Sequence, residues 1–306
     1  MKHTTKIITL ASGYHLFSAS FGNPNAKIKL LALHGGPGDT SNEFFIYADE
    51  LKKYANLDVQ IITYDQLGSF YSESPDFTKK ENVARYLNFD YYREEVEAVR
   101  NAWHLDQYYL IGHSWGGALV YEYALKYQRY LKAGIVFSMT DNIDDYIANI
   151  NKQRLNLLGQ PEVDYMHHIE QSHDYLDARY HEDLVKLYRE NLNRHPNYDP
   201  DHGMAYMAED VYGHFQGNNE FVVTGSFRGW NVHKKIQSIS IPMLVTFGEK
   251  DTMPADSGRK SVDVMPNARF NLTLDGGHSH AQDHPQSFFS SLGQFIEDVE
   301  QGKIMK

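Results

Sequence analysis

Gly112-His113-Ser114-Trp115-Gly116 has the form G-x-S-x-G and lies between a strand-like run, Tyr108–Ile111, and a helical stretch opening near Gly116. In that strand–turn–helix setting the pattern makes a nucleophile elbow, a strained turn that lifts a serine hydroxyl out of a sheet and aims a helix N-terminus at it. Small residues must flank the serine so that neighbouring backbone can pass. A serine hydroxyl needs a base, and a group that orients the base. On such an elbow the acid and then the histidine follow later in the chain. Asp251 comes four residues after the run Met243–Phe247, and His278 four residues after Phe270–Leu274. Both would overhang the same sheet edge as Ser114, with Asp251 holding the imidazole tautomer and His278 taking the serine proton. Glu249 and Asp275 compete for the acid, and His280 for the base. The oxyanion of an acyl-transfer intermediate needs backbone N–H groups already in place. One is that of Trp115; the second is expected in the loop His34-Gly35-Gly36-Pro37-Gly38, at Gly36.

These residues need a scaffold, and the apolar pattern supplies one. Short runs at Ile28–Leu33, Val59–Tyr64, Tyr108–Ile111, Ala133–Phe137, Met243–Phe247 and Phe270–Leu274 read as buried parallel strands. Between them lie helical periods, such as Phe89, Tyr92, Val96, Val99 and Trp103, and a last helix opening at Pro285 with Phe288, Leu292, Phe295, Ile296 and Val299 on one stripe. The alternation predicts an α/β fold, a mostly parallel sheet flanked by helices. Thr5–Leu10 and Tyr14–Ser20 read as an antiparallel hairpin added at the edge. From about 140 to 235 the strand signals vanish, and Leu176, Tyr180, Leu184, Leu187, Tyr188 and Leu192 recur at helical spacing. The expected organisation is a core in two parts, 1–139 and 236–306, with a mainly helical lid, 140–235, over the carboxyl ends of the strands, where open α/β sheets keep their ligand sites.

Composition narrows the function classes. The 306 residues carry a net charge of −11, which repels phosphate backbones and anionic membranes, so neither nucleic acid nor membrane is an expected partner. Cysteine is absent, which excludes disulfides, thiolate metal sites and a cysteine nucleophile. No run approaches the ~18 apolar residues of a membrane span, and the stretch Ile7–Ala11 is too short for a secretion signal. A cytoplasmic protein is expected. His278, His280 and His284 could be drawn as a metal cluster, but the chain lacks H-E-x-x-H and a triad histidine cannot also serve a metal. No metal and no cofactor are expected. Oligomeric state has no signature here.

His34-Gly35-Gly36-Pro37-Gly38, Asp65-Gln66-Leu67-Gly68-Ser69 and Gly112-His113-Ser114-Trp115-Gly116-Gly117 together resemble the prolyl iminopeptidases, α/β-hydrolase-fold serine peptidases that include the tricorn-interacting aminopeptidases. The lid segment Tyr212–Phe221, with Thr224-Gly225 and Trp230, resembles the tricorn-interacting members. The middle motif departs, since the family usually reads D-Q-R-G or D-Q-F-G followed by G-x-S. The resemblance implies a metal-free aminopeptidase that removes an N-terminal residue, often proline, from short peptides or aminoacyl amides. It places Glu220 opposite the substrate's ammonium, and Tyr212 and Gly35 beside the substrate. Tricorn-interacting members carry a second acid after the catalytic aspartate; here that position is Thr252, so part of the amine anchor is missing or comes from Glu209, Asp210 or Glu249. A carboxylesterase, lactonase or acyl-amide hydrolase would use the same triad, and a non-catalytic receptor on this fold would have no need of one.

Overall fold

Eight apolar segments of the chain pair into one sheet in a computed structural model that describes residues 3–203 and 205–305. The strands are β1 (His3–Thr9), β2 (His15–Gly22), β3 (Ile28–Leu33), β4 (Val59–Tyr64), β5 (Tyr108–His113), β6 (Leu131–Phe137), β7 (Met243–Gly248) and β8 (Ala268–Thr273). Their order is β1-β2-β4-β3-β5-β6-β7-β8. β3 to β8 run parallel, whereas β1 and β2 form an antiparallel hairpin whose second strand joins β4. The last strand starts two residues earlier than its apolar run, because Ala268 pairs with Met243. It ends at Thr273, and Leu274 is 69% exposed at the turn that follows.

Side-chain alternation along the strands feeds two cores, one on each face. Leu31, Leu33 and Leu110 pack with Val96 and Val99 of the helix Phe89–Ala102 and with Leu119 of the helix Trp115–Tyr127. Leu30, Ala32, Tyr109 and Ile111 pack on the opposite face with Leu51 and with Phe288, Leu292 and Phe295 of the helix Pro285–Glu300. The chain leaves β3 for β4 on one side and returns to β5 on the other. The crevice between the loops after β3 and β5 is therefore a topological switch point, where such sheets bind ligands.

The segment between β6 and β7 is helical, with helices at Ile143–Leu158, Gln160–Ser172, Ala178–Leu187 and Glu209–Phe215. Its entry and exit are tied together: Val232 N–H donates to Asp141 O at 2.8 Å, Ile143 N–H to Trp230 O at 3.0 Å, and His233 Nδ1 meets Asp141 Oδ2 at 2.8 Å. The helical period drawn through Leu176 is shorter than expected. Asp177 caps the helix by accepting from Tyr180 N–H at 2.8 Å, which leaves Leu176 outside it and 97% exposed. Tyr188–Leu192 continues as a single π-turn. Among the described residues no helix is long and apolar enough to cross a membrane.

Candidate active site

Ser114 stands between β5 and the helix Trp115–Tyr127 with φ 53° and ψ −121°, a strained conformation for a residue with a side chain. The turn is held by Ser114 N–H to Phe137 O at 2.9 Å and by Gly117 N–H to Ser114 O at 2.7 Å. The flanking glycines are steric requirements. A Cβ on Gly112 would strike the Gly116 carbonyl, and a Cβ on Gly116 would strike the Leu33 carbonyl on the neighbouring strand. Both obstacles are backbone and cannot swing aside. Gly116→Ala should therefore cost about 3 kcal/mol or more in denaturant unfolding, whereas alanine at exposed Gly213, with open space around its Cβ position, should cost far less.

The loop after β3 approaches Ser114 so closely that a Cβ on Gly35 would lie 3.2 Å from Ser114 Cβ. Gly36 has φ 101°, which glycine adopts freely. No acceptor among the described residues takes the N–H of Gly36 or of Trp115. The motif Asp65-Gln66 explains how this loop is fixed. Gln66 N–H donates to His34 Nε2 at 2.9 Å, so His34 carries its proton on Nδ1 and gives it to Gly35 O at 2.9 Å. The Gln66 side chain donates to His34 O at 3.0 Å and accepts from Trp115 Nε1 at 2.9 Å. One glutamine thus locks the glycine loop to the elbow.

His278 is 4% exposed, and its Nδ1 lies 2.7 Å from Asp251 Oδ1. Asp251 Oδ1 also accepts Met253 N–H at 2.9 Å. Burial alone would lower the imidazole pKa, but the charge and hydrogen bond of Asp251 outweigh it, helped by Glu220 and Glu43, and push it up to about 9. Burial would likewise raise the Asp251 carboxyl, and the His278 charge and hydrogen bond hold it below the ordinary range instead. With Nδ1–H facing the carboxylate, Nε2 is the nitrogen left for a serine proton.

The loop bearing His278 is clipped from both sides. His278 N–H donates to Asn191 O at 2.8 Å and Ser279 N–H to Leu192 O at 2.8 Å, both in the helical segment. Its carbonyl accepts from Ser138 Oγ at 2.8 Å and from His113 Nε2 at 3.1 Å. His113 in turn meets a Glu43 carboxylate oxygen at 3.0 Å. His280, the other base candidate, does not line the cavity that holds Ser114. It is fully buried, its nitrogens lie 3.2 Å from Ser138 Oγ and 3.0 Å from Thr246 Oγ1, and burial lowers its pKa to about 3. The other acid candidates have partners elsewhere: Glu249 is exposed and accepts Asp275 N–H at 3.0 Å, and Asp275 pairs with Arg194 at 3.0 Å.

Ser114, His278, Gly35, Gly36, Tyr212 and Glu220 line one cavity of about 270 Å³. Glu220 is 8% exposed, and its backbone carbonyl accepts from the Tyr146 hydroxyl. Burial first, then the Glu220 charge, pushes the Tyr212 phenol well above its ordinary range. The other carboxylates expected as amine partners do not line this cavity. Glu209 lines a separate outer chamber of about 790 Å³ that shares Met207 and Tyr212 as walls, and Asp210 and Glu249 are exposed. Asp39 and Glu43 are there instead. Thr252, where tricorn-interacting members carry the second acid, brings no charge; its hydroxyl donates to Glu220 Oε1 at 2.8 Å. Sequence reasoning missed the roles of Gln66, His113, Glu43 and Thr252, since no local pattern marks a polar side chain for a partner far along the chain.

A strained serine and an imidazole paired with a buried carboxylate, opening on one small cavity, are parts for acyl transfer. The chain belongs to the alpha/beta hydrolase fold family, whose model matches residues 29–285, and it is a serine hydrolase. Within that fold it belongs to the proline iminopeptidase family. It is 31% identical to the proline iminopeptidase of Elizabethkingia meningoseptica over 303 residues, 96% of this chain and 97% of that protein. It is 29% identical to that of Flavobacterium johnsoniae, over 97% of this chain and 99% of the relative. The crystal structure of the Mycobacterium smegmatis proline iminopeptidase superposes with a TM-score of 0.85 at 22% identity, covering 98% of this chain and 99% of that one.

Proposed function

We propose that this serine aminopeptidase releases a small N-terminal residue, proline included, from short peptides or aminoacyl amides. The observation that carries the reading is a buried carboxylate, Glu220, in the same small cavity as Ser114 and His278. A desolvated carboxylate favours a cation strongly, and the ammonium of a peptide's first residue is a cation one bond from the Cα of the reacting carbonyl. Anchoring it at Glu220, in the cavity that holds Ser114, limits cleavage to the first residue. The cavity volume of about 270 Å³ also lies at the small end of ligand pockets (~300–1,000 Å³), which suits a single small acyl residue.

In this reading Ser114 Oγ attacks the carbonyl carbon while its proton passes to His278 Nε2, and the N–H groups of Gly36 and Trp115 hold the oxyanion. The C–N bond breaks as His278 returns that proton to the leaving amine. Water then attacks the acyl carbon with His278 again as base, and the acyl–Oγ bond breaks as His278 returns the proton to Ser114. Gly35 and Tyr212 form walls beside the acyl residue. The test compares proline, alanine and leucine arylamides with free and acetylated amino groups. Free amines should be preferred at least ~100-fold, and Glu220→Gln should raise their KM about tenfold or more, the scale of a lost charge-assisted hydrogen bond. Equal cleavage of free and acetylated arylamides would overturn the proposal.

A further inference from the structure

Thr252 stands between two groups that this reading uses. It is fully buried, and its hydroxyl proton goes to Glu220 Oε1 at 2.8 Å. With that proton spent, its oxygen can only accept, and the group facing it is His278 Nδ1 at 3.2 Å, which shares its hydrogen with Asp251 Oδ1 at 2.7 Å. A continuous chain of hydrogen bonds therefore runs from the cavity carboxylate to the imidazole through a fully buried hydroxyl. We propose that Thr252 is a positioning residue that relays the presence of the substrate's ammonium at Glu220 to His278, so that binding the amine readies the imidazole to accept the Ser114 proton. The inference rests on the aminopeptidase reading above.

The charges facing His278 are Asp251 and Glu220 beside Nδ1, Glu43 and His113 across the elbow, and His280 on its own loop. With Glu220 unpaired, the ring's pKa of about 9 keeps it mostly protonated near neutrality, and a protonated Nε2 cannot act as a base. A carboxylate accepting the Thr252 proton makes the Thr252 oxygen a stronger acceptor for His278 Nδ1–H, which favours the imidazolium; an ammonium at Glu220 draws that charge away and weakens the bond to Nδ1–H. The Nε2 proton then leaves to water, and the neutral ring faces Ser114. Selectivity for a free amine would thus be expressed in turnover as well as in binding.

The pH profiles of two substrates separate the relay from a packing role. For p-nitrophenyl acetate, which brings no ammonium, kcat/KM reports the free enzyme and should rise with pH towards His278's resting value. For alanine p-nitroanilide, kcat reports the bound complex, and its rising limb should lie about one pH unit lower, a tenfold change in free base. Thr252→Val, close in shape, should bring the ester limb down towards the arylamide limb, as should Glu220→Gln. Thr252→Ser should restore the separation. Coincident limbs in the wild type, with free-amine selectivity retained, would overturn the relay alone. So would a Thr252→Val protein that is slower but has an unmoved ester limb. If free and blocked arylamides are cleaved equally, the relay and the aminopeptidase reading fall together.

Discussion

Replacing Ser114 by alanine should lower kcat for a free-amine arylamide by roughly 10⁴- to 10⁶-fold, while KM changes little. The size follows from what is removed. Acyl transfer by this route forms a covalent bond to Oγ, and Ser114 is the hydroxyl at the elbow, against Gly35 of the glycine loop. The N–H groups of Gly36 and Trp115 and the carboxylate of Glu220 would survive, so substrate would still bind and a small residual rate over water would remain. The serine side chain makes no capping bond to its own helix, so the fold should lose little, and thermal melting of the variant separates lost chemistry from lost structure. Single-turnover measurement of the arylamine released is the direct check. A variant with near-normal turnover would sink the Ser114 assignment.

Asp251→Asn should cost about 10⁴ in kcat, by a different route. Asp251 Oδ1 accepts both His278 Nδ1–H and Met253 N–H, at 2.7 and 2.9 Å. An asparagine that keeps its oxygen on Met253 N–H loses the charge that favours an imidazolium. One that turns its NH₂ to the ring forces the proton onto Nε2, where it blocks acceptance from Ser114. Either way the ring's pKa should fall from about 9, because the Asp251 charge and hydrogen bond are what outweigh burial. Activity should therefore drop steeply, and the rising pH limb should move to lower pH. Proton NMR of the His278 Nδ1–H resonance, present in the wild type and lost or shifted in the variant, provides an independent reading. An unmoved limb with a small loss of rate would assign the orienting role elsewhere.

The parts of this molecule legible in sequence are those set by local sterics and by period. The elbow glycines could be read because a strand–turn–helix junction with a serine at φ 53° excludes side chains on both flanks. β3 and β4 could be read residue for residue because mainly apolar runs are buried on both faces, along all of β4 and the last four residues of β3. Leu176 was misplaced because helical spacing alone cannot show where a cap such as Asp177 starts the helix. His280 and His278 looked alike in the chain, and only their partners separate them. One faces two neutral hydroxyls in the core, and the other faces a carboxylate beside the cavity.

The sequence by itself determined the class of scaffold and pointed to the residues proposed for acyl transfer, since the spacing of glycine, serine, aspartate and histidine follows from strand ends and tight turns. Tertiary structure decided how the site is wired. Gln66 joins the loop after β3 to the elbow, His113 and Glu43 brace the loop bearing His278, and Thr252 links Glu220 to His278. These bonds join side chains brought from different strands and from the helical segment, and hydrogen bonding depends on ångström distances that no linear spacing records.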